Sequence, residues 1–286
     1  MIKNSFLSLW LGLCISASAQ DLERINFHSE FEANYFNNVD EVLGRLLMAD
    51  PDASDFDLRE LTEKLTGYIQ GLESKRSKFK RQEDFISFIF YKTHRKFLKR
   101  YTPYTSFRTL SKSGAYDCLS ATSLYSYLFH ALDIEHTIVE TSYHIYIIAN
   151  ADNNPILLES TDPIYGYVKD KKEIQQRLAE INGKNAPAND QYNFVTAVNE
   201  DISFTELIGL QYYNSAVDAF NSQSYSISIE QLSKGLIFRN NPRLIEFALV
   251  VAQGIMQDEH LDQQLILSYF TRFLELFHGN AALASR

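Results

Sequence analysis

Cysteine is nearly absent from this chain. Two occur in 286 residues, too few for a disulfide framework. Basic residues are in deficit as well: 27 Lys and Arg against 36 Asp and Glu give a net charge of -9. That balance is the wrong sign for a chain that binds nucleic acid as a whole. Long apolar runs are missing after the first twenty residues, so no transmembrane segment is expected once a leader is removed. Chemistry-bearing motifs are missing too, with no H-E-x-x-H, no C-x-x-C and no glycine-rich phosphate loop after a strand. Asp152-Asn153-Asn154 lacks the later glycine and the spacing of an EF-hand loop. No cofactor is implied and no metal site. His130 and His136, at a helix end, read as satisfied surface or core histidines rather than ligands.

Against these absences stands a composition of 45% hydrophobic and 22% charged residues, enough to bury a core in one large domain or two modest ones. The first residues read as a leader: Lys3, then the apolar run Phe6 to Ile15, then Ala17 and Ala19 in the small-residue pattern of a cleavage site. Residues 1–19 are therefore expected to be a Sec-type signal peptide, and the chain to be periplasmic or secreted. Cys14 would leave with it, making Cys118 the only thiol and the remaining charge -10. Charge is unevenly placed. Lys75 to Arg100 holds ten basic residues against Glu83 and Asp84, which reads first as a solvated helix face and otherwise as a patch for an acidic partner, an anionic glycan or a membrane surface.

Apolar spacing predicts a short helix at Val42 to Leu47 and a longer one carrying Leu58, Leu61, Leu65, Ile69 and Leu72, capped by Ser54 or Asp55. A third helix carries Phe85 to Phe97. Residues 101–117 read as an ordered loop, helix resumes at Cys118, and strands follow at Ile134 to Val139, Tyr143 to Asn150 and Ile156 to Thr161. Another helix reaches about Ile181, and Gly183 to Asp190 reads as a loop and a domain edge. In the tail, Ala216, Ala219, Phe220, Ser228, Leu232 and Gly235, with Pro242 after them, resemble one degenerate tetratricopeptide repeat. A generic helical hairpin carries the same pattern. The implied organisation is a helical region at 20–79, a core at 80–190 and a helical, repeat-like region at 204–286 that could take a protein partner.

Cys118 reads as a buried small hydrophobe, an intermolecular disulfide partner or a nucleophile, and its place at the start of a helix, where free N–H groups and the helix dipole favour a thiolate and can hold an oxyanion, weights the last. Such a nucleophile needs a base, and the base an orienting acceptor. Among seven histidines, His144 is placed best, at the start of a strand and on the side of Tyr146 and Ile148. The acceptor depends on strand register. If facing residue numbers sum to 303, Glu159 lies opposite His144; if they sum to 306, Asp162 does.

This order of Cys at a helix start, His on a strand and a carboxylate on the next strand resembles the transglutaminase-like superfamily. The residues that carry the likeness are Gly114-Ala115-Tyr116-Asp117-Cys118 with Ala121, Tyr143-His144-Ile145-Tyr146, and Leu157-Leu158-Glu159-Ser160-Thr161, covering roughly residues 80–170. The resemblance implies an α+β fold, with a Cys-bearing helix packed on an antiparallel sheet and flanked by helical segments. It also implies a papain-type mechanism with Glu159 as orienter, although the family more often has Asp before Pro-Thr and this chain has Asp162-Pro163. An upstream aromatic or amide serves as oxyanion donor in the family; Tyr101, Tyr104 and Tyr116 all remain candidates. The implied activity is hydrolysis of a peptide or protein amide through a thioester. The alternative is an inactive core that binds a partner through the helical tail.

Overall fold

The computed structural model describes residues 25–183, 198–239 and 241–271. The expected signal peptide and most of the 183–190 loop lie outside them. Four helices come first: α1 (Glu30–Phe36), α2 (Val42–Leu47), α3 (Asp55–Arg76) and α4 (Gln82–Phe97). Ser54 starts α3 through a capping box with Asp57, which satisfies orphan N–H groups at the helix entrance. The basic run lies partly along aromatic surface: Lys75 and Lys92 sit over the Phe88 ring, and Lys96 over Tyr68.

Residues 101–117 hold more structure than a loop. Strands β1 (Arg100–Tyr101) and β2 (Ala115–Tyr116) pair in parallel around helix α5 (Phe107–Ser113). Gly114 makes this possible. It ends α5 at φ 77°, and a side chain there would meet the Phe97 carbonyl at 2.8 Å. The chain then enters α6 (Cys118–Ala131), followed by β3 (His136–Thr141), β4 (Ile145–Ala151), β5 (Asn154–Leu158), β6 (Tyr167–Val168) and helix α7 (Lys171–Asn182). Strand β7 (Asn199–Ile202) adds itself to the far edge, so the antiparallel order is β6-β5-β4-β3-β7. The chain is thus a mixed α+β fold.

The sheet is covered on both faces. Ile145, Ile147 and Ala149 of β4 join the main core with Leu124, Tyr125 and Leu128 of α6. Tyr146 and Leu157 pack with Ile174 and Ile181 of α7 on the other face. Helices α8 (Phe204–Asn221), α9 (Tyr225–Phe238) and α10 (Pro242–Gln257) complete the described elements, with residues 263–271 also helical. The α8–α9 pair is an antiparallel hairpin, closed where Ser228 Oγ donates to the Ala216 carbonyl at 2.8 Å.

One hydrophobic cluster runs from Phe31 through α6 and the sheet to Ile255, so the helical tail shares the core of the middle region. A buried ion pair also ties the tail to α1. Lys234 contacts both Glu32 oxygens at 2.8 Å, and Tyr212 donates to the same carboxylate. Lys234→Met would leave a fully buried carboxylate without its cation, held by Tyr212 and the His28 N–H. The expected cost is about 3–5 kcal/mol in urea unfolding, largely recovered when Glu32→Gln is added.

Candidate active site

Asp117 and Ser120 form the capping box that begins α6: Ser120 N–H donates to the Asp117 carboxylate at 2.7 Å, and Asp117 N–H to Ser120 Oγ at 3.0 Å. Cys118 is therefore the first helical residue. Its N–H and that of Leu119 have no acceptor within the helix, which suits them to a developing oxyanion. The thiol is half-buried in a cavity of about 200 Å³ that it shares with His144.

The hairpin that brings the remaining groups has a register different from either expectation. Asp152 and Asn153, at φ 53° and 65°, form a two-residue turn with both centres left-handed. Facing pairs such as Ala151 and Asn154 then sum to 305. His144 and Glu159 each sit one residue outside the strands, Ile145–Ala151 and Asn154–Leu158, so the pairing brings them to the same end of the hairpin without fixing the face of either. A sum of 306 would have put Asp162 opposite His144.

The contacts are made at that end of the hairpin. His144 Nε2 bonds to Glu159 Oε2, both side chains being buried. Glu159 Oε1 accepts from Thr161 N–H at 3.0 Å and Thr161 Oγ1 at 2.7 Å. Gly166 allows the turn beyond: a side chain on it would lie 2.2 Å from the Glu159 carbonyl, and its own carbonyl accepts Glu159 N–H. Asp162 does not join them. Its carboxylate accepts the N–H groups of Ile164 and Tyr165 and pairs with Arg177.

His144 also lies ahead of β4 rather than within it. Strand alternation therefore does not dictate its face, and in place of the Tyr146 side it lines the Cys118 cavity. Its carbonyl accepts both the N–H and the Oγ1 of Thr141, which fixes the tight connection from β3. With Nε2 committed to Glu159, Nδ1 is the ring nitrogen left for another partner.

Electrostatics correct the expectation for the thiol. Burial, joined by the Asp117 and Glu159 carboxylates, pushes Cys118 up to about 12, while Arg243 and the Ile145 N–H act the other way. Local helix-start effects thus lose to desolvation and two nearby carboxylates. Burial would also raise Glu159, but bonds from His144 and Thr161 hold it below the usual range. Asp117, fully enclosed, is pushed up to about 6 by burial. Asp117→Asn preserves a good N-cap and removes one of the carboxylates facing the thiol. It should lower the Cys118 pKa, and each unit lost raises the thiolate fraction about tenfold at fixed pH. The alkylation rate of Cys118 by iodoacetamide measures this.

Several cavity residues had no warning in the sequence. Leu210, Tyr213, Val217, Phe220 and Phe247 come from the tail helices and give the cavity an apolar and aromatic wall. Arg243, the second residue of α10, bonds Glu140 at 3.1 Å and the Thr141 carbonyl at 3.3 Å, and its guanidinium lies 4.8 Å from the Tyr213 ring centroid. Of the upstream tyrosines, Tyr101 and Tyr104 line the cavity, whereas the Tyr116 hydroxyl is turned to His94. His136 is satisfied by Ser126 and the Ile134 carbonyl, and no group of three or more potential metal ligands occurs among the described residues. No described helix is long and apolar enough to cross a membrane. Comparison with known proteins finds no matching family model, no matching curated protein and no matching solved structure.

Proposed function

We propose that this chain is a cysteine-dependent acyl-transfer enzyme, a peptidase or amidase of transglutaminase-like type that acts outside the cytoplasm. One observation carries the reading: His144 holds Glu159 through Nε2 and lines the same cavity as the helix-start thiol of Cys118. Because the Glu159 carboxyl stays ionised, Nε2 carries the proton in the neutral ring and Nδ1 is left as the base.

The thiol is neutral at rest, so deprotonation accompanies attack. His144 Nδ1 takes the Cys118 proton as Sγ bonds to the amide carbonyl carbon. The oxyanion is met by the Cys118 N–H, with Tyr101 or Tyr104 as the second donor. The C–N bond then breaks, His144 returns the proton to the departing amine, and a thioester remains on Cys118. Water, deprotonated by His144, opens the thioester and releases a carboxylic acid. The wall of Leu210, Val217, Phe220 and Phe247 suits an acyl group with a bulky apolar side chain.

A second reading, an inactive core that binds peptides in this cavity, is favoured by the elevated thiol alone. A mixed peptide-amide library in water enriched in heavy oxygen separates the two. The enzyme reading expects new carboxylates carrying one heavy oxygen, and an added amine to divert little of the product. A library left unchanged would overturn it in favour of the binding module.

A further inference from the structure

A second cavity, of about 400 Å³, lies at the other end of α6, where Ser126, Tyr127 and His130 face α2, β3 and the start of α8. The distance from Cys118 to His130 is about 18 Å along the helix, at 1.5 Å per residue. Arg45 of α2 lines this cavity, and its situation is unusual for a buried cation. It is 6% exposed, and among the described residues no carboxylate lies within ion-pair distance. Its Nε is buried without a hydrogen-bond partner, and the guanidinium rests 5.3 Å from the Phe238 ring centroid. The other two buried cations among the described residues have carboxylates: Lys234 has Glu32, and Arg239 has Glu140. A guanidinium brings five N–H donors, and each one buried without an acceptor is costly.

A second feature points at the same space. Helix α8 begins there, with Ser203, Phe204 and Thr205 on the cavity wall. The Ser203 cap satisfies Glu206 N–H, and the N–H groups of Phe204 and Thr205 are the first two of the helix, with no acceptor inside it. The acid of that turn does not cancel the field in the cavity, because Glu206 is engaged by Ser203 and Arg239. His136 adds no competing charge: burial lowers its pKa, and Nδ1–H donates to the Ile134 carbonyl. Val42, Ile138 and Ile202 give the wall its apolar part, with Thr137 beside them and the exposed Val39 at the edge.

We propose that this cavity binds a small organic anion, whose carboxylate or phosphate takes the Arg45 guanidinium and the first N–H groups of α8, and whose apolar body lies against Val42, Ile138 and Ile202. A buried arginine and a helix N-terminus are the two kinds of group that hold an oxyanion, and both line this cavity. The apolar wall selects against a bare inorganic ion. The site is independent of the acyl-transfer chemistry and stands or falls without it.

Titrating the protein with benzoate, phenyl phosphate, inorganic phosphate and neutral benzyl alcohol tests this, read by melting temperature and by amide NMR. Benzoate or phenyl phosphate should raise the melting temperature saturably at millimolar concentration and shift the Phe204 and Thr205 amide signals. Whichever of the two binds tighter identifies the preferred head group. Arg45→Met should raise the Kd about tenfold or more. Without ligand it should melt no lower than the parent, since it removes a buried charge that lacks a partner. The proposal is overturned if neither organic anion binds, if benzyl alcohol or inorganic phosphate alone matches them, or if Arg45→Met binds equally well. Should Arg45→Met not fold, unshifted Phe204 and Thr205 signals in the parent protein overturn it on their own.

Discussion

Cys118→Ser should abolish amide hydrolysis, lowering kcat by about 10⁶, while leaving the melting temperature close to that of the parent. The magnitude is that of removing a nucleophile which works as a unit with its base. The fold should barely respond, because the thiol is half-buried and the substitution is close in shape. Its N-cap, Asp117 with Ser120, is untouched. The comparison is made on whichever peptide amide is turned over in the heavy-oxygen screen. A serine variant retaining even a hundredth of the rate would mean that the bond is broken elsewhere.

Glu159→Gln should cost about 10⁴ in kcat for a different reason. Glu159 Oε1 already accepts two donors from Thr161, so the glutamine oxygen is drawn to that side. The amide nitrogen then faces His144 Nε2 and donates to it. That holds the ring in the tautomer with its proton on Nδ1, where no proton can be taken from Cys118. Asp162→Asn serves as the contrast: its carboxylate is engaged by the 164–165 backbone and Arg177, so the rate should stay within a few fold of the parent. Equal losses for the two variants would return the orienting role to an open question.

Much of the local structure was legible because its causes are local. Ser54 is a cap followed three residues later by Asp57, and the stripe from Leu58 to Leu72 has helical spacing, so α3 appears where the pattern puts it. The helix beginning at Cys118 is equally local, since Asp117 is its cap. The hairpin was readable as a hairpin but not in its register. Asp152, Asn153 and Asn154 all tolerate a left-handed backbone, and which two form the turn depends on packing along the whole sheet. Strand β7 was missed because Asn199-Glu200-Asp201 carries no apolar alternation; it is an edge strand that buries Ile202 alone. Helix α5 was hidden in a Thr- and Ser-rich stretch and buries only Phe107 and Leu110.

The candidate site divides the same way. Cys118, His144 and Glu159 share a short stretch of chain, and their order carried a chemical meaning. Arg243 and the Tyr213 to Phe247 wall reach the cavity from about 100 residues further on, through helix packing that no motif announces. The thiol shows why local reasoning fails here: a helix start argues for a low pKa, and burial beside Asp117 and Glu159 reverses it.

The central claim is that Cys118 carries the acyl group and that His144 moves the proton. Intact-protein mass spectrometry during reaction with an aryl ester of an N-acylated aromatic amino acid reads this directly. The account predicts a transient acyl adduct mapped to Cys118, formed and discharged by the parent protein and much slower to form in His144→Ala. An adduct elsewhere in the chain, or one that forms on Cys118 at the same rate without His144, would contradict it.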